Sequence, residues 1–322
     1  MMFCSAAFDC LELYIGTATP CCWAWLDEEF RILEHRDGPI RDPWALWNHP
    51  RLVRLRERIL AGDYSQCQNC AVYKNGRDDP LRPEHKPVMQ RGPVWVNWGN
   101  TQTCNLACPS CRPRKIDDTA TEQDAFFRAC NDAWLDGAVA ISMNHNGDPF
   151  ASPAHRQWLL DFDPKRYPNL GIRLTTNGLL LPRYWPALQR AWPAIRWIWI
   201  SVDAASEETY RKVRGGDWDT LQDAAEIASQ HCRRIGGHLQ FHFVVQPANY
   251  REATLFAHWA LGLGGRAEFW LIFRTWHSPE GFAAVNIGSP DHPEHEAMLD
   301  AFRDPVFREP RVTVDPEIRR EL

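Results

Sequence analysis

A partial (β/α)6 barrel of the TIM type, preceded by a small cysteine-rich module, is the fold class the sequence predicts. Three observations point to it. From about Val94 onward six short β-rich runs alternate with stretches of helical spacing; the runs recur every 25 to 45 residues; and residues 1–75 follow a different pattern that holds six of the eleven cysteines.

In chain order, the first module (1–75) contains one candidate strand, LELYI (11–15), a turn rich in Thr and Pro, and a helical stretch with Leu52, Leu55 and Ile59 on one face. The charged, proline-rich segment KNGRDDPLRPEHKP (74–87) has the composition of a solvated connection, which puts a linker at 76–92. The barrel follows over 93–275. Its six strands are VWVNW (94–98), VAISM (139–143), IRLTT (172–176), WIWIS (197–201), LQFHFVV (239–245) and FWLIF (269–273). Between strands, Leu221, Ala224, Ala225 and Ala228 recur at i, i+3, i+4, i+7, and Leu255, Trp259 and Leu263 at i, i+4, i+8. Alternation of strand and helix calls for a parallel sheet, and six units suit an open barrel better than a closed eight-fold one. A doubly wound sheet is the structural rival. Residues 276–322 then read as a long loop over 277–295 and a short helix around Ala297–Phe302.

The net charge of -5 and pI near 6.2 argue against broad electrostatic capture of nucleic acid. No apolar run approaches the roughly 20 residues that span a bilayer. The first residues, MMFCSAAFDCLELYIG, carry no basic leader, so the expectation is a soluble, cytoplasmic protein without nucleic-acid or membrane partners. Nine of the eleven cysteines fall into three groups, and only Cys130 and Cys232 stand alone. Such clustering implies ligands more than disulfides in a reducing compartment. The sixteen tryptophans suit a core first and a Trp-lined substrate cavity second.

Directly after the first barrel strand, TCNLACPSC spells Cys104-x3-Cys108-x2-Cys111, at the carboxyl end of the sheet where barrel active sites sit. Three closely spaced thiolates can hold three irons of a four-iron four-sulfur (4Fe-4S) cluster and leave the fourth iron open to a substrate or cofactor. Structural zinc is the alternative, but it wants four ligands and no nearby His completes the set.

This motif after a first strand, with the matching pieces that follow, resembles the radical S-adenosylmethionine (SAM) superfamily over most of residues 90–275. The resemblance implies that Cys104, Cys108 and Cys111 hold the catalytic 4Fe-4S cluster. It further implies that the SAM amino and carboxylate groups chelate the open iron, and that one electron cleaves the sulfonium to give a hydrogen-abstracting 5′-deoxyadenosyl radical. Asn146-Gly147-Asp148-Pro149 resembles the family's Gly-Gly-Glu-Pro segment, which receives the SAM amino group, and departs from it at Asn146 and Asp148. Thr175-Thr176-Asn177-Gly178 and Ser201-Val202-Asp203 resemble its ribose and SAM contacts; without the family, each would read as a cap for the helix that follows. Tyr210-x3-Arg214 resembles a motif whose Arg pairs with the SAM carboxylate, a contact suited to a guanidinium fork. Gln246 and Asn249, after the fifth strand, fall where the family often contacts SAM, and the backbone around Leu271–Phe273 would lie against adenine.

Cys4-x11-Gly16-x4-Cys21, followed by Cys67-x2-Cys70, resembles the opening half of the SPASM pattern or the shorter twitch pattern, which carry auxiliary clusters in many radical SAM enzymes. There the module usually follows the barrel; here it precedes it, and the later cysteines of a full set are absent. The expectation is one auxiliary 4Fe-4S cluster on Cys4, Cys21, Cys67 and Cys70, two clusters in all, with Cys22 or Cys10 as alternate ligands and a four-cysteine zinc site as the rival.

A fully ligated auxiliary cluster suits electron transfer, so oxidation or bond formation is favoured over redox-neutral epimerisation. Epimerisation would need a hydrogen-donating thiol, and only Cys130 and Cys232 are unassigned, both on helical stretches away from strand ends. A non-catalytic two-cluster electron-transfer protein and a zinc-stabilised binding module are the alternatives of another class. Polar residues near strand ends that could meet substrate are Asn97, His145, His242, Arg274 and His277. The substrates compatible with such groups are a small polar metabolite, a sugar derivative or a peptide, with a flavodoxin or ferredoxin as electron donor.

Overall fold

The computed structural model describes residues 3–21, 26–39, 41–68, 70, 78–99, 101–117, 121–143, 146–272 and 278–322, with backbone alone for 121–124 and 279. The chain divides into two compact units: Met1–Gln102 with Asp118–Gly147 and Pro153–Ile172, and Thr103–Asp117 with Asp148–Ser152 and Arg173–Leu322. This division does not follow the sequence boundaries at 75 and 92. Among the described residues, ten strands and the helices between them make a mixed α/β architecture. No helix among the described residues is long and apolar enough to cross a membrane.

In the first unit, β1 (Cys10–Tyr14), β2 (Thr17–Thr19), β3 (Ile32–Leu33), β4 (Trp95–Gly99) and β5 (Ala140–Met143) lie in the order β5-β4-β1-β2-β3. The LELYI strand is therefore not part of a self-contained module. It runs parallel to β4, with Leu11 opposite Val96 and Leu13 opposite Trp98. All four of these side chains are buried, and pairing β1 beside β4 also satisfies the backbone groups that an uncovered β4 edge would leave open. β4 also runs parallel to β5, while β1–β2 and β2–β3 are antiparallel. The helix Pro50–Leu60 buries Leu52, Leu55 and Ile59, as their spacing predicts, and with them Arg56. The Arg56 guanidinium lies 4.2 Å from the centre of the Trp47 ring and donates to the Ala7 carbonyl (2.8 Å) and the Pro87 carbonyl (3.2 Å). It thereby ties together three stretches far apart in sequence. Burial pulls its pKa down to about 9.

The second unit carries β7 (Ile195–Ser201), β8 (His238–Val245), β9 (Arg266–Leu271) and β10 (Val312–Val314); β6 (Gly171–Thr176) opens in the first unit and closes in the second. The order is β10-β9-β8-β7-β6, and β7–β8, β8–β9 and β9–β10 are parallel. From β6 to β10 consecutive strands are thus neighbours, whereas a doubly wound sheet reverses its order part-way. Burial alternates along β7 to β9. Ile198, Ile200, Leu239, Phe241, Phe243, Val245, Ala267 and Phe269 are buried, while Trp199, Gln240, His242, Glu268 and Trp270 on the opposite face stay half-buried.

The helix Trp218–Ile235 begins where the Asp217 carboxylate accepts from the Thr220 N–H at 2.8 Å and ends at Gly236 in the left-handed region; it buries Leu221, Ala224, Ala225 and Ala228. Rings of Phe243, Phe256, Phe269, Phe302 and Phe307 meet at 4.6 to 5.4 Å and form the core around β9. The late helix is His295–Ala301, close to its expected position. β10 was invisible to periodicity because three residues cannot display a pattern.

Candidate active site

The three-cysteine loop, residues 103–117, lies in the second unit and is held by its own backbone. Cys104 N donates to the Ile116 carbonyl at 3.0 Å, and the N–H groups of Cys111 and Arg112 both donate to the Cys108 carbonyl, at 2.8 and 3.0 Å. The x2 spacing therefore closes a single tight turn. Each thiol faces a side-chain N–H: Asn177 Nδ2 is 3.7 Å from Cys104 Sγ, Arg214 Nη1 is 3.4 Å from Cys108 Sγ, and Arg112 Nε is 3.4 Å from Cys111 Sγ. Cys108 is buried, while Cys104 and Cys111 are half-buried. Burial pushes the Cys104 thiol up, the nearby Asp148 adds to this, and Arg112 opposes it.

Asp148 sits at the centre of a buried network beside this loop. Its N–H donates to the Thr103 carbonyl at 2.9 Å. Its carboxylate accepts from Thr176 Oγ1 (2.6 Å), Asn177 N (2.9 Å) and Phe150 N (3.0 Å). Burial raises its pKa against these bonds. The side chain is thus engaged in holding the end of β6. Asn177 in turn accepts from Leu179 N through Oδ1 (3.0 Å), which directs its amide N–H groups at Asn105 Oδ1 (2.8 Å) and Cys104. Gly178 completes the turn at φ +85°, where an added Cβ would also meet Ala224 Cβ at 3.2 Å. Pro149 is buried beside Asp148.

A second network joins the carboxyl ends of β7 and β8. Asp203 is the one non-glycine residue with positive φ (62°) among the described residues, a conformation that costs on the order of 1–3 kcal/mol. It is held there because its Oδ1 accepts from Val244 N (2.7 Å) and its carbonyl from Asn249 Nδ2 (2.9 Å). Asn249 also accepts from Gln246 N at 2.8 Å and donates to the Val244 carbonyl at 2.9 Å. Arg214 Nε is 3.2 Å from Asp203 Oδ2. Burial works against both charges; for Arg214 the facing Asp203 and Cys108 outweigh it and hold the guanidinium protonated, above its ordinary range. Arg214 Nη2 and the Tyr210 hydroxyl are buried without a hydrogen-bond partner among the described residues. Both belong to the segment opened by the helix Glu207–Val213, which is fixed by Glu252, whose carboxylate accepts from Ala205 N (2.6 Å), Ser206 N (3.1 Å) and Thr209 Oγ1 (2.6 Å).

Cys104, Cys108, Cys111, Asp148, Pro149, Thr176, Asn177, Ser201, Asp203, Arg214, Gln246 and Asn249 all lie in this one unit. Asn146 and Gly147 lie in the first unit, where Asn146 Nδ2 donates to the Gly99 carbonyl at 3.4 Å. Asn97, also in the first unit, is engaged by Trp95 Nε1 (3.0 Å) and Glu12 Oε1 (3.2 Å). His242 lies on the half-buried face of β8, 3.3 Å from Glu268 Oε2 and 2.9 Å from Gln240 Nε2; Gln240 also donates to Glu268, and Arg173 covers the Trp199 ring at 4.1 Å. His145, Phe273, Arg274, His277 and Cys22 lie outside the described residues. Arg112, Asn105 and Glu268 were missed in the sequence. Arg112 and Asn105 carried a signal, their adjacency to Cys111 and Cys104.

In the first unit, Tyr64 gathers two of the other cysteines: its hydroxyl accepts from Cys4 N (3.3 Å) and its carbonyl from Cys67 N (2.9 Å), while Cys70 N donates to the Cys67 carbonyl (2.9 Å). Burial pushes the Cys21 thiol well up, and Glu12, Cys67, Cys4 and Cys70 add to it through their charges. Cys67 is pushed up to about 11 by burial and by Cys4 and Cys70. Among the described residues no three His, Cys, Asp or Glu side chains are gathered as a ready-made single-ion site. Cys130 and Cys232 are both buried, and burial alone raises the Cys232 thiol to about 12.

No protein-family model matches the chain, and no curated protein matches it. Among solved structures, SuiB from Streptococcus suis bound to S-adenosylmethionine is similar at TM-score 0.47 and 13% identity, over 69% of this chain and 50% of that one. A radical SAM methyltransferase from Sphaerobacter thermophilus is similar at TM-score 0.42 and 18% identity, over 66% of this chain and 63% of that one. The anSMEcpe structure with bound AdoMet follows at TM-score 0.40 and 15% identity, over 68% and 62%. The chain spans about half to two-thirds of the length of these proteins. Scores and identities at this level assign neither fold nor activity, so the chemistry rests on the residues themselves.

Those residues fit an anionic sulfur-ligated cluster with a carboxylate-bearing ligand beside it. Three thiols each face an N–H donor, two of the donors belong to arginines, and the buried Nη2 of Arg214 has no acceptor among the described residues.

Proposed function

We propose that this chain is a radical SAM enzyme built on a partial (β/α) barrel. Cys104, Cys108 and Cys111 would hold a 4Fe-4S cluster. The observation that carries this is that Arg214 Nη1 lies 3.4 Å from Cys108 Sγ of the three-cysteine loop, while its Nη2, buried beside Asp203, has no hydrogen-bond partner among the described residues. A buried donor without a partner costs about 1–3 kcal/mol, and a ligand carboxylate at this place removes that cost. The SAM carboxylate is such a group. A cluster held there would supply the one-electron chemistry that cleaves the SAM sulfonium and starts hydrogen-atom abstraction from a substrate.

The chain's own residues bind and orient. Arg214 receives the carboxylate, and Asp203 fixes the guanidinium while the Val244 and Asn249 contacts hold Asp203. Asp148 shapes the turn at Thr176 and Asn177 rather than meeting the ammonium itself, because its carboxylate already accepts three hydrogen bonds. Thr176, Ser201, Gln246 and Asn249 line the strand ends where the rest of SAM would lie, and the backbone of Pro149 would meet its amino end. The face bearing His242, Glu268 and Arg173 offers polar and cationic groups to a polar substrate.

Cys4, Cys21, Cys67 and Cys70 would ligate a second 4Fe-4S cluster, a group that would supply one-electron chemistry suited to an oxidation or bond formation. Anaerobically reconstituted protein is then expected to hold about eight irons and, with dithionite, to release 5′-deoxyadenosine from SAM. Folded, iron-loaded protein that forms none would overturn the proposal.

A further inference from the structure

Arg112 has no part in the roles proposed above, yet it is 4% exposed, and its guanidinium turns back onto the thiol of its own neighbour, with Nε 3.4 Å from Cys111 Sγ. Two features make this more than a surface arginine folding over. Its backbone N–H shares the Cys108 carbonyl with that of Cys111, so the same turn that sets the cysteine spacing sets the root of the Arg112 side chain. The contact also completes a set. The donors on Cys104 and Cys108 come from Asn177 and Arg214, residues assigned above to turn geometry and SAM binding, whereas Arg112 faces the third thiol from within the cysteine loop itself. A buried cation next to a thiolate favours whatever puts more negative charge on that thiolate, and N–H···S bonds act in the same direction.

We infer that Arg112 is a positioning residue that raises the reduction potential of the cluster on Cys104, Cys108 and Cys111, through its N–H and its charge at Cys111. The inference rests on the cluster assignment proposed above and goes beyond it. Reduction adds one negative charge to the cluster; the donor is an external one-electron reductant such as dithionite or a flavodoxin, and no bond at Arg112 forms or breaks. Arg112 lowers the cost of that added charge.

The test is a potentiometric titration of reconstituted full-length protein followed by electron paramagnetic resonance, with SAM addition used to recognise the signal of the cluster on the three-cysteine loop. Arg112→Met, which removes charge and donor, should shift the reduction equilibrium about tenfold toward the oxidised form, equivalent to about 59 mV for one electron. Arg112→Gln, which keeps an N–H but not the charge, should fall between, and Arg112→Lys should stay near the wild type. Unchanged potentials in Met and Gln variants that carry full iron would overturn the inference while leaving the cluster assignment intact. If the Met, Gln and Lys variants all fail to load the cluster, Arg112 serves loop folding and not the potential, which also overturns it. A wild-type protein that assembles no SAM-responsive cluster would be a different result, removing the cluster assignment itself.

Discussion

Replacing Arg214 by Lys keeps the charge and removes the fork, which makes it the most direct probe of the SAM site. The guanidinium reaches Asp203 Oδ2 at 3.2 Å and Cys108 Sγ at 3.4 Å, and has Nη2 left over, unsatisfied among the described residues. One ammonium cannot present donors to all three directions at once, because it lacks the rigid planar geometry. Asp203 is 1% exposed and should win the competition for the remaining charge. The ligand carboxylate then loses one charge-assisted hydrogen bond, about 1.5–3 kcal/mol. At about 1.36 kcal/mol per tenfold, SAM affinity should fall roughly 10- to 150-fold. Equilibrium dialysis of SAM against reconstituted variant measures this directly, and a urea transition taken alongside should move little because the Asp203 ion pair survives. Arg214→Ala is the less informative variant: it strands a buried carboxylate at a cost of about 3–5 kcal/mol, so binding and folding change together. Unaltered SAM affinity in a folded Arg214→Lys protein would refute the assignment of Arg214 to the carboxylate.

Replacing Cys104, Cys108 and Cys111 together by Ala should abolish 5′-deoxyadenosine formation and lower iron by about half, since the other four cysteines remain; reductive SAM cleavage by the triple variant would refute the motif assignment. Cys67→Ala with Cys70→Ala should likewise lose about half the iron yet still form 5′-deoxyadenosine, with circular dichroism first establishing that the variant is folded. Full iron in this variant would count against an auxiliary cluster on these residues. A pH effect is expected at His295, whose Nε2 lies 2.9 Å from Glu321 Oε2. Burial pulls its pKa down, but the Ile287 carbonyl and Glu321 outweigh this and leave it raised. A raised folded pKa adds stability that is complete below the unfolded value of about 6.5 and fades as pH rises through the folded value. The urea midpoints of wild type and Glu321→Gln should therefore differ most in mild acid and converge in alkali; a gap independent of pH would exclude the charged pair.

By itself the sequence determined seven of the ten strands among the described residues, all but the short β2, β3 and β10, and which residue types would stand at their ends. Runs such as WIWIS and LQFHFVV alternate in burial along β7 and β8, and a two-residue period is a local property that any reader of the chain can see. The cysteine spacing is local for the same reason, since it is closed by one turn on the Cys108 carbonyl. Sequence could not decide that LELYI would be a parallel neighbour of β4, because strand pairing depends on contacts between residues more than eighty positions apart. Nor could it decide what the polar residues at strand ends would touch. Asp148 spends its carboxylate on the backbone of β6's end, Asp203 is bent into a left-handed conformation to meet Arg214, and Arg112 turns inward onto Cys111. Each of these outcomes follows from desolvation. Once the chain packs, a buried charge must find a partner, and only the tertiary structure determines which groups are near enough to serve.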